Sequence, residues 1–579
     1  MSYEKEQRRL QSLWDDNMSD DTEDPYYNDS DNDPVYQQES SSTGSSVLTF
    51  NEPRKKRRRI EKLELEESED SEINESSNEE EQDVVSDWGV VVGDPKDFDF
   101  DGDIGLVKEV QDMKGEDIFA YYKLFLDDEL INTLVTETNL YAEQAIIKAI
   151  TEETLMPSSR LSKWTNVTCE EMYCFLGFLL WMGLDKKPKI TDYWKRSEIY
   201  WSEAANRMSR NRFENILRMW HFANNEHCEE GDRLGKIRFL VDSLNKKFKQ
   251  VIFPDENVCI DETMVPFRGR LIFRQYVKGK RHKFGIKLFK LCLPGGYTYH
   301  CKIYCGTEKS NDMLVATKIV FELMGKCLDK GMTLYTDNWY TSTELAQKLL
   351  ERKTHLVGTL RKNRKGIPKE ILSTKLKKGE IIGRQKDGIV LFKWKDKRDV
   401  LMLTTKHDET LVEVPGRINK FKPKAVVDYN KAKTFIDLSD QMSSYSTSVR
   451  RSLKWYRKVA VELITGTCVV NACYLFNKNN NKVDKKQITE LRESLCLKML
   501  AFGKKENPLD FQLQDQLKHR LIPTEKKGRC AICYKKYKDA NGRVYATKNS
   551  RQVKTKCETC EEHFMCLECF FDNHISNRK

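Results

Sequence analysis

Three Cys-x2-Cys pairs in the last fifty residues constrain the fold of this chain more than any other sequence feature. Paired thiolates at this spacing bind Zn²⁺ tetrahedrally, and a short segment with so few apolar residues needs a metal to fold. Zinc is favoured over disulfides, because residues 1–10 are charged and no apolar signal segment follows, which predicts a reducing compartment. The candidate ligands, enough for two structural Zn²⁺ ions, are Cys530, Cys533, Cys557, Cys560, His563, Cys566, Cys569 and His574. His563 is either a ligand or a surface residue, and spacing alone does not assign ligands to ions.

Charge is divided between an acidic N-terminal region and a basic remainder. Residues 1–104 contain 31 Asp and Glu against 11 Lys and Arg, a net charge of −20. The remaining residues carry 87 Lys and Arg against 59 Asp and Glu, a net charge of +28, which favours a nucleic-acid partner. Residues 1–108 lack sustained apolar periodicity, so we expect a disordered acidic tail. Its opposite charge motivates the hypothesis that the tail competes with DNA for the basic body.

Six consecutive Lys and Arg residues interrupt this tail at residues 54–59. Such a block is typical of a nuclear localisation signal, so we expect nuclear localisation and binding to an import receptor. The alternative is a non-specific basic patch. The longest apolar run, residues 175–184, is too short to span a membrane, and no membrane association is expected.

The spacing of apolar residues predicts an α+β multidomain chain. Helical periodicity runs through residues 117–254, and ordered structure is expected to begin near Asp117. Strand and helix patterns then alternate, which predicts a mixed sheet with helices on its faces. The expected parts are helices at 117–254, the first part of the sheet core at 255–361, an inserted β-rich subdomain at 362–430, the last part of the core at 431–480, a helix and linker at 481–524, and the cysteine-rich domain at 525–579.

Four aspartates stand where a sheet and a helix could bring them together. Asp261 is expected just after a strand, and Asp337 follows another. Asp437 and Asp440 lie three residues apart, which puts both on one helical face. Ligands of α/β sheets bind at the carboxyl ends of strands, and such carboxylates could hold two Mg²⁺ ions for phosphoryl transfer. For any single Asp, a helix cap or a turn is the simpler interpretation.

Three motifs around these aspartates resemble piggyBac-type transposases. They are residues 261–270 (DETMVPFRGR), residues 336–342 (TDNWYTS), and residues 427–430 (VDYN) together with 436–442 (IDLSDQM). Their order and separations also match, and the resemblance covers roughly residues 117–477 and the cysteine-rich end.

The resemblance implies a ribonuclease-H-like catalytic core with a DDD triad at Asp261, Asp337 and Asp437 that binds Mg²⁺. Asp440 matches an additional acidic position of the family, so the resemblance implies that it is catalytic as well. The implied activity is cut-and-paste DNA transposition at TTAA sites, acting on double-stranded transposon ends and target DNA. The family also implies a homodimer, a dimerisation and DNA-binding role for residues 117–254, and a C-terminal cross-brace zinc finger that recognises transposon ends.

Cations near the aspartates are candidates for DNA contacts, because the phosphate backbone must lie beside the metals. Those that follow Asp261 are Arg268, Arg270, Lys280 and Arg281. A second group mixes cations with an aromatic ring and comprises Lys454, Trp455, Arg457 and Lys458. We interpret Trp455 as stacking on an unpaired base and its neighbour Tyr456 as a core residue, although packing is the common role of a Trp.

Two other functions stay open from the sequence. One is a domesticated, transposase-derived DNA-binding protein without catalysis, against which the intact aspartates argue. The other is a chromatin or ubiquitin adaptor that uses only the zinc finger, against which the many cations of residues 535–556 argue.

Overall fold

The computed structural model describes residues 88–93, 95, 98–156, 159–277, 282–306, 313–414, 419–450, 454–480, 485–503, 521–557, 564–566 and 568–569. The chain divides into two compact units, one made of residues 1–205 and 209–503 and the other of residues 206–208 and 504–579. The sheet and the aspartates belong to the first unit, and the cysteine pairs belong to the second.

A nine-stranded mixed sheet forms the centre of the first unit. Its strands in chain order are β1 (Asn257–Pro266), β2 (Gln275–Tyr276), β3 (Phe284–Leu293), β4 (Tyr297–Ile303), β5 (Thr333–Thr336), β6 (His355–Thr359), β7 (Ile381–Lys386), β8 (Ile389–Lys395) and β9 (Asp399–Thr404). They lie in the order β2-β3-β1-β5-β6-β9-β8-β7, and β4 also pairs with β3. β3 is antiparallel to β1 and β4, whereas β1, β5 and β6 are parallel, so the expected mixed sheet is confirmed.

The sequence of β3 explains its central place in the sheet. The strand reads FGIKLFKLCL, and every side chain from Leu288 to Leu293 is buried. A strand that is apolar on both faces gains most from burial when other elements cover both faces of the sheet.

The first unit contains thirteen α-helices among its described residues. They are α1 (Lys108–Gln111), α2 (Ile118–Lys123), α3 (Asp128–Thr151), α4 (Cys169–Leu184), α5 (Arg210–Met219), α6 (Arg238–Gln250), α7 (Val315–Met324), α8 (Thr343–Glu351), α9 (Lys369–Ser373), α10 (Lys424–Ser444), α11 (Trp455–Val461), α12 (Cys468–Asn479) and α13 (Ile488–Leu500). The start of α4 is fixed by a capping box, in which the Thr168 hydroxyl accepts from the Glu171 amide at 3.2 Å and the Glu171 side chain accepts from the Thr168 amide.

The long helix α10 packs on one face of the sheet. The side chains that it turns toward the sheet recur every three or four residues and are Ala425, Tyr429, Ala432 and Ile436. They form one buried cluster with Cys259 of β1, Tyr335 of β5 and Val357 of β6. This packing fixes the position of α10 above the ends of β1 and β5.

A continuous helical run from Trp455 to Asn479 joins α11 to α12 through a π-helical turn at Glu462–Thr467. By length and composition alone this run could cross a membrane. Because most of it is buried inside the unit, the run is a core helix in this fold.

Several described residues before Asp117 take part in the fold, contrary to expectation. Gly89 forms an antiparallel bridge with Gln385 of the edge strand β7, and its N–H and C=O each bond to Gln385 at 2.9 Å. A short strand, Gly105–Leu106, pairs with Ile252–Phe253, and α1 follows it. The expectation of a structureless tail up to residue 108 and a start near Asp117 was therefore wrong for these residues, which have long-range partners that local periodicity cannot reveal.

The region expected to be a separate inserted subdomain extends the main sheet. β9 pairs with β6, and β8 and β7 follow it to the edge. A separate antiparallel pair, Leu411–Glu413 with Phe421–Pro423, leads into α10. That helix begins at Lys424, seven residues before the expected boundary at 431, because Ala425 and Val426 already pack on the sheet.

The second unit contains an antiparallel pair of strands, Leu521–Arg529 and Gln552–Cys557. Between them lies a helix, Ala531–Asn549, which is interrupted at Gly542 by a φ of 82°. Glycine suits this break, because side chains disfavour positive φ. The cysteine pair at the start of this helix lies beside the strands.

Candidate active site and cysteine cluster

Two of the predicted triad residues, Asp261 and Asp337, lie beside each other on parallel strands. Ile260 of β1 pairs with Thr336 of β5, so the two aspartates that follow are at the same level of the sheet. Asp337 comes directly after β5, as the sequence predicts. Asp261 instead lies inside β1, because the pairing of β1 with β3 continues to Pro266.

Both aspartates face α10. Cys259 and Tyr335, which precede them by two residues on their strands, belong to the cluster under that helix. Side chains two positions apart share one face of a strand, so Asp261 and Asp337 lie on the α10 side of the sheet. The helix carries Asp437, which is exposed, above this face.

The buried thiol of Cys259 lies in the cluster under α10, two residues before Asp261. Its pKa is raised well above the usual value, first by burial and then by negative charge, including that of Asp261, Asp437 and Asp337. All three predicted triad residues therefore act electrostatically on one point at the end of the sheet.

The environment of Asp337 combines burial with a second carboxylate. Burial and the charge of Glu262 raise the pKa of Asp337, while the amides of Trp339 and Tyr340 and the charge of Arg361 oppose the rise. The Trp339 amide donates to Oδ1 of Asp337 at 2.9 Å and fixes the orientation of the carboxylate. Crowded hard oxygens of this kind are the donors that Mg²⁺ prefers, so the donor set fits a divalent cation.

The carboxylates of the triad are less closely gathered than the cysteines. Within the described ranges, the group of His, Cys, Asp or Glu side chains whose ligand atoms all lie within 4.8 Å of one another is Cys530, Cys533, Cys566 and Cys569. The oxygens of Asp261, Asp337 and Asp437 do not form a group of that kind in this conformation.

Asp440 has structural partners. Its Oδ1 accepts a hydrogen bond from Thr263 Oγ1 at 2.7 Å and lies 3.3 Å from the ammonium of Lys290. Asp440 therefore joins α10 to β1 and to β3.

The cations of the first motif are on the surface. Arg268 and Arg270 are exposed in the loop after β1, and the carbonyls of Arg268 and Gly269 each accept a hydrogen bond from Arg274 at 3.0 Å. The structure leaves them accessible to a large anionic ligand. Lys280 and Arg281 lie outside the described residues.

The second group of predicted DNA contacts is mostly buried. Trp455 is 2% exposed and packs edge-to-face on Phe273 at 5.1 Å, so stacking on a base is incompatible with this conformation. Arg457 donates from Nε to the Trp220 carbonyl at 2.9 Å beyond the end of α5. Tyr456 is buried, in agreement with its interpretation as a core residue.

The two lysines of this group differ in burial. Lys458 is buried, with its ammonium 5.9 Å from the centre of the Phe267 ring. Lys454, at the start of α11, is partly exposed. Within this group, Lys454 is therefore the residue most accessible to DNA.

Sequence reasoning missed two arginines near Asp337. Arg361 donates from Nε to Asn338 Oδ1 at 3.1 Å, and Arg364 donates to the carbonyl of Trp339. They brace the loop that follows Asp337. The sequence feature that could have found them is their position just after the parallel strand β6. The carboxyl end of this strand lies at the same edge of the sheet as those of β1 and β5.

The second unit brings the first and third cysteine pairs together. The Cys533 sulfur lies 3.7 Å from that of Cys566 and 3.4 Å from that of Cys569. Cys530 and Cys566 are buried, and the described cysteines are all free thiols. Four thiolates at this spacing are compatible with one structural Zn²⁺ ion. Cys560, His563 and His574 lie outside the described residues, as does the side chain of Cys557.

Comparison with known proteins identifies the class of protein that this fold defines. A family model described as "Transposase IS4" matches residues 119–473, more than half of the chain. The chain therefore belongs to this transposase family.

Individual relatives are of the piggyBac type, which confirms the resemblance seen in the motifs. The human PiggyBac transposable element-derived protein 3 is 25% identical over 450 residues, which cover 71% of each chain. The human PiggyBac transposable element-derived protein 2 is 23% identical over 460 residues, covering 73% of this chain and 74% of the relative. A cryo-EM structure of a piggyBac transposase synaptic complex with hairpin DNA shares the fold, with a TM-score of 0.62, 24% identity, and coverage of 81% of this chain and 100% of that one.

Proposed function

We propose that this protein is a DNA transposase that performs metal-dependent cut-and-paste cleavage and strand transfer at TTAA sites with a DDD triad. The observation that carries the proposal is the position of Asp261 and Asp337 side by side on two parallel strands, under the helix that carries Asp437. The strand order β4-β3-β1-β5-β6, with three antiparallel strands followed by parallel ones, supports a ribonuclease-H-like catalytic core.

Asp261, Asp337 and Asp437 are the residues that would hold Mg²⁺. The chemistry that Mg²⁺ would supply there is polarisation of a phosphate and activation of a water or a 3′-hydroxyl. The chain's own contribution is to orient the carboxylates, as the Trp339 amide does for Asp337. Arg268 and Arg270, which are exposed after β1, would hold the DNA backbone near the carboxylates.

The second unit is proposed to recognise transposon ends with two Zn²⁺ ions. A cross-brace finger shares each ion between alternate ligand pairs, and the gathering of Cys530 and Cys533 with Cys566 and Cys569 supports this arrangement. The second ion would then take Cys557, Cys560 and His574, with His563 as the fourth ligand.

The partners follow from this activity. They are double-stranded transposon ends and target DNA, to which the family's known structure with hairpin DNA lends support. Homodimerisation, the import receptor and nuclear localisation are further proposals, the last two resting on the basic block at residues 54–59.

A second candidate function is DNA binding without catalysis. The names of both human relatives, which describe proteins derived from a transposable element, favour it.

Cleavage of DNA that carries the flanking ends of the chain's own genomic element separates the two functions. Wild-type protein with Mg²⁺ is expected to cut, and Asp261→Asn, Asp337→Asn and Asp437→Asn are each expected to bind the DNA without cutting. Binding by all forms with no cleavage by the wild type would favour the non-catalytic protein. An exposed carboxylate at the end of α8, Glu351→Gln, serves as the matched control.

A further inference from the structure

Lys290 is a lysine with no solvent exposure in the middle of β3. It lies directly opposite Asp261 in the antiparallel register of β1 and β3. An ammonium group is costly to bury unless charged or polar partners surround it. The partners of Lys290 therefore indicate why the chain keeps a charge at this position.

The nearest partner is on α10. The Lys290 ammonium lies 3.3 Å from Asp440 Oδ1, which also accepts the hydrogen bond from Thr263. The side chain of Lys290 has 0% exposure and that of Asp440 has 33%. Water therefore reaches the carboxylate of this pair but not the ammonium.

A second negative group comes from the core helix. Glu462, the first residue of the π-helical turn, is 9% exposed, and its Oε1 accepts from Ser443 Oγ of α10 at 2.6 Å. Burial opposes the charge of Lys290, but Asp440 and Glu462 together hold its pKa above the usual value. Both carboxylates contact the last two turns of α10 or belong to them.

We propose that Lys290 is a positioning residue that fixes the C-terminal half of α10, and with it Asp437, over Asp261 and Asp337. Lys290 acts through Asp440, one helical turn from Asp437, and the Glu462–Ser443 bond holds the end of the same helix. The importance of this placement for DNA cleavage rests on the proposed function. The contact of Lys290 with Asp440, called the tether below, does not depend on that function. Asp440, predicted from the sequence to be catalytic, is a positioning residue in this scheme.

Amide hydrogen exchange of the full chain tests the tether without any need for activity. Lys290→Met keeps the length of the side chain and removes its charge, and Asp440→Asn keeps an acceptor for Thr263. Each variant is expected to speed exchange in residues 436–444 about tenfold. The double variant is expected to add no more, since both changes break one interaction. Lys302→Met is the matched control, because Lys302 is a lysine of β4 paired with Glu322 of the next helix.

Cleavage at saturating DNA and Mg²⁺ tests the consequence for chemistry. Lys290→Met and Asp440→Asn are each expected to cut about a hundredfold more slowly with unchanged DNA affinity, because small misplacements cost about that much. The double variant is expected to match the slower single variant.

The outcomes separate the proposals. Unchanged exchange in residues 436–444 overturns the tether, whatever the cleavage result. A double variant whose fold-loss in cutting rate equals the product of the two single-variant losses also overturns it. Faster exchange with an unchanged cutting rate overturns the positioning role. A wild-type protein that does not cut removes the proposed function, and exchange then decides on the tether alone. If Lys290→Met fails to fold, Asp440→Asn gives the same decision.

Discussion

Thr263 of β1 donates a hydrogen bond from its hydroxyl to Asp440 of α10 at 2.7 Å, across 177 residues of sequence. The bond joins the strand that carries Asp261 to the helix that carries Asp437. Residues of the candidate site are thus held by a polar contact in addition to the apolar cluster under α10. A site assembled from distant segments requires such a rigid contact between them.

Removal of this hydroxyl should weaken the first unit. Thr263 is 7% exposed, and Thr263→Val leaves Asp440 with one fewer donor, so we expect a loss of about 1–2 kcal/mol in the free energy of unfolding. Urea denaturation of the full chain measures the change. Thr263→Ser retains the hydroxyl but removes the methyl group, which Thr263→Val keeps, and it should lose less. A Thr263→Val variant as stable as the wild type would show that the hydrogen bond does not stabilise the unit.

The sequence predicts parts of the site whose causes are local. Asp337 follows its strand as expected, and Asp437 and Asp440 share a helix as their spacing indicates. Asp261 was misjudged, because the strand that extends past it is held by β3, a partner that lies further along the chain.

Residues whose partners are distant in sequence could not be interpreted from local patterns. Lys290 resembles any cation in an alternating strand, and its burial makes sense only beside Asp440, 150 residues away. Trp455 sits among cations in the sequence, yet its ring packs on Phe273 of a different segment. In both cases the tertiary contact decided the environment of the side chain.

The pair between His407 and Asp428 predicts a pH dependence of stability. His407 is buried, and its Nε2 lies 2.9 Å from Asp428 Oδ2. The hydrogen bond with His407 holds the pKa of Asp428 below its usual value of 3.8, against the effect of burial. The ionised carboxylate therefore stabilises the fold above pH 3.8, and that contribution is lost as the pH falls through the lowered pKa.

Asp428→Asn should accordingly destabilise the protein at pH 7 and have little effect in strong acid. The expected loss is about 0.5–1 kcal/mol, since more than a third of Asp428 is exposed and solvent weakens the pair. Urea unfolding at pH 7 and in acid measures it. A loss that is equal at both pH values would show that the ionised form has no special role.

Burial of Trp455 predicts that its replacement affects folding before DNA binding. Trp455→Ala should lower the free energy of unfolding by about 3–5 kcal/mol, because it empties a core position. Trp455→Phe retains most of the packing on Phe273 and should lose less. If Trp455→Phe folds as stably as the wild type but binds single-stranded DNA much more weakly, the ring acts on DNA after a rearrangement.

The cysteine cluster predicts a loss of zinc confined to the second unit. Cys566→Ser removes one of four ligands, so we expect about one fewer Zn²⁺ per chain and rapid proteolysis within residues 521–569. Metal analysis and limited proteolysis of the full chain measure both effects. Cys169→Ser, which keeps a donor for Asn132 in the first unit, should leave the zinc content unchanged.

The acidic N-terminal region predicts a salt-dependent effect on DNA affinity. Residues 1–87 contain 26 Asp and Glu against 10 Lys and Arg, and the ordered contacts of Gly89 set the point before which the chain should be cut. If this region competes with DNA for the basic body, a chain lacking residues 1–87 should bind non-specific DNA more tightly at low salt, with the difference shrinking as salt screens the charges. A fluorescence anisotropy titration at several salt concentrations measures this. A longer deletion that also removes Gly89 would break its bridge to Gln385 and confuse the result, so the cut must stop at residue 87. Equal affinities of the full and shortened chains at low salt would reject the competition.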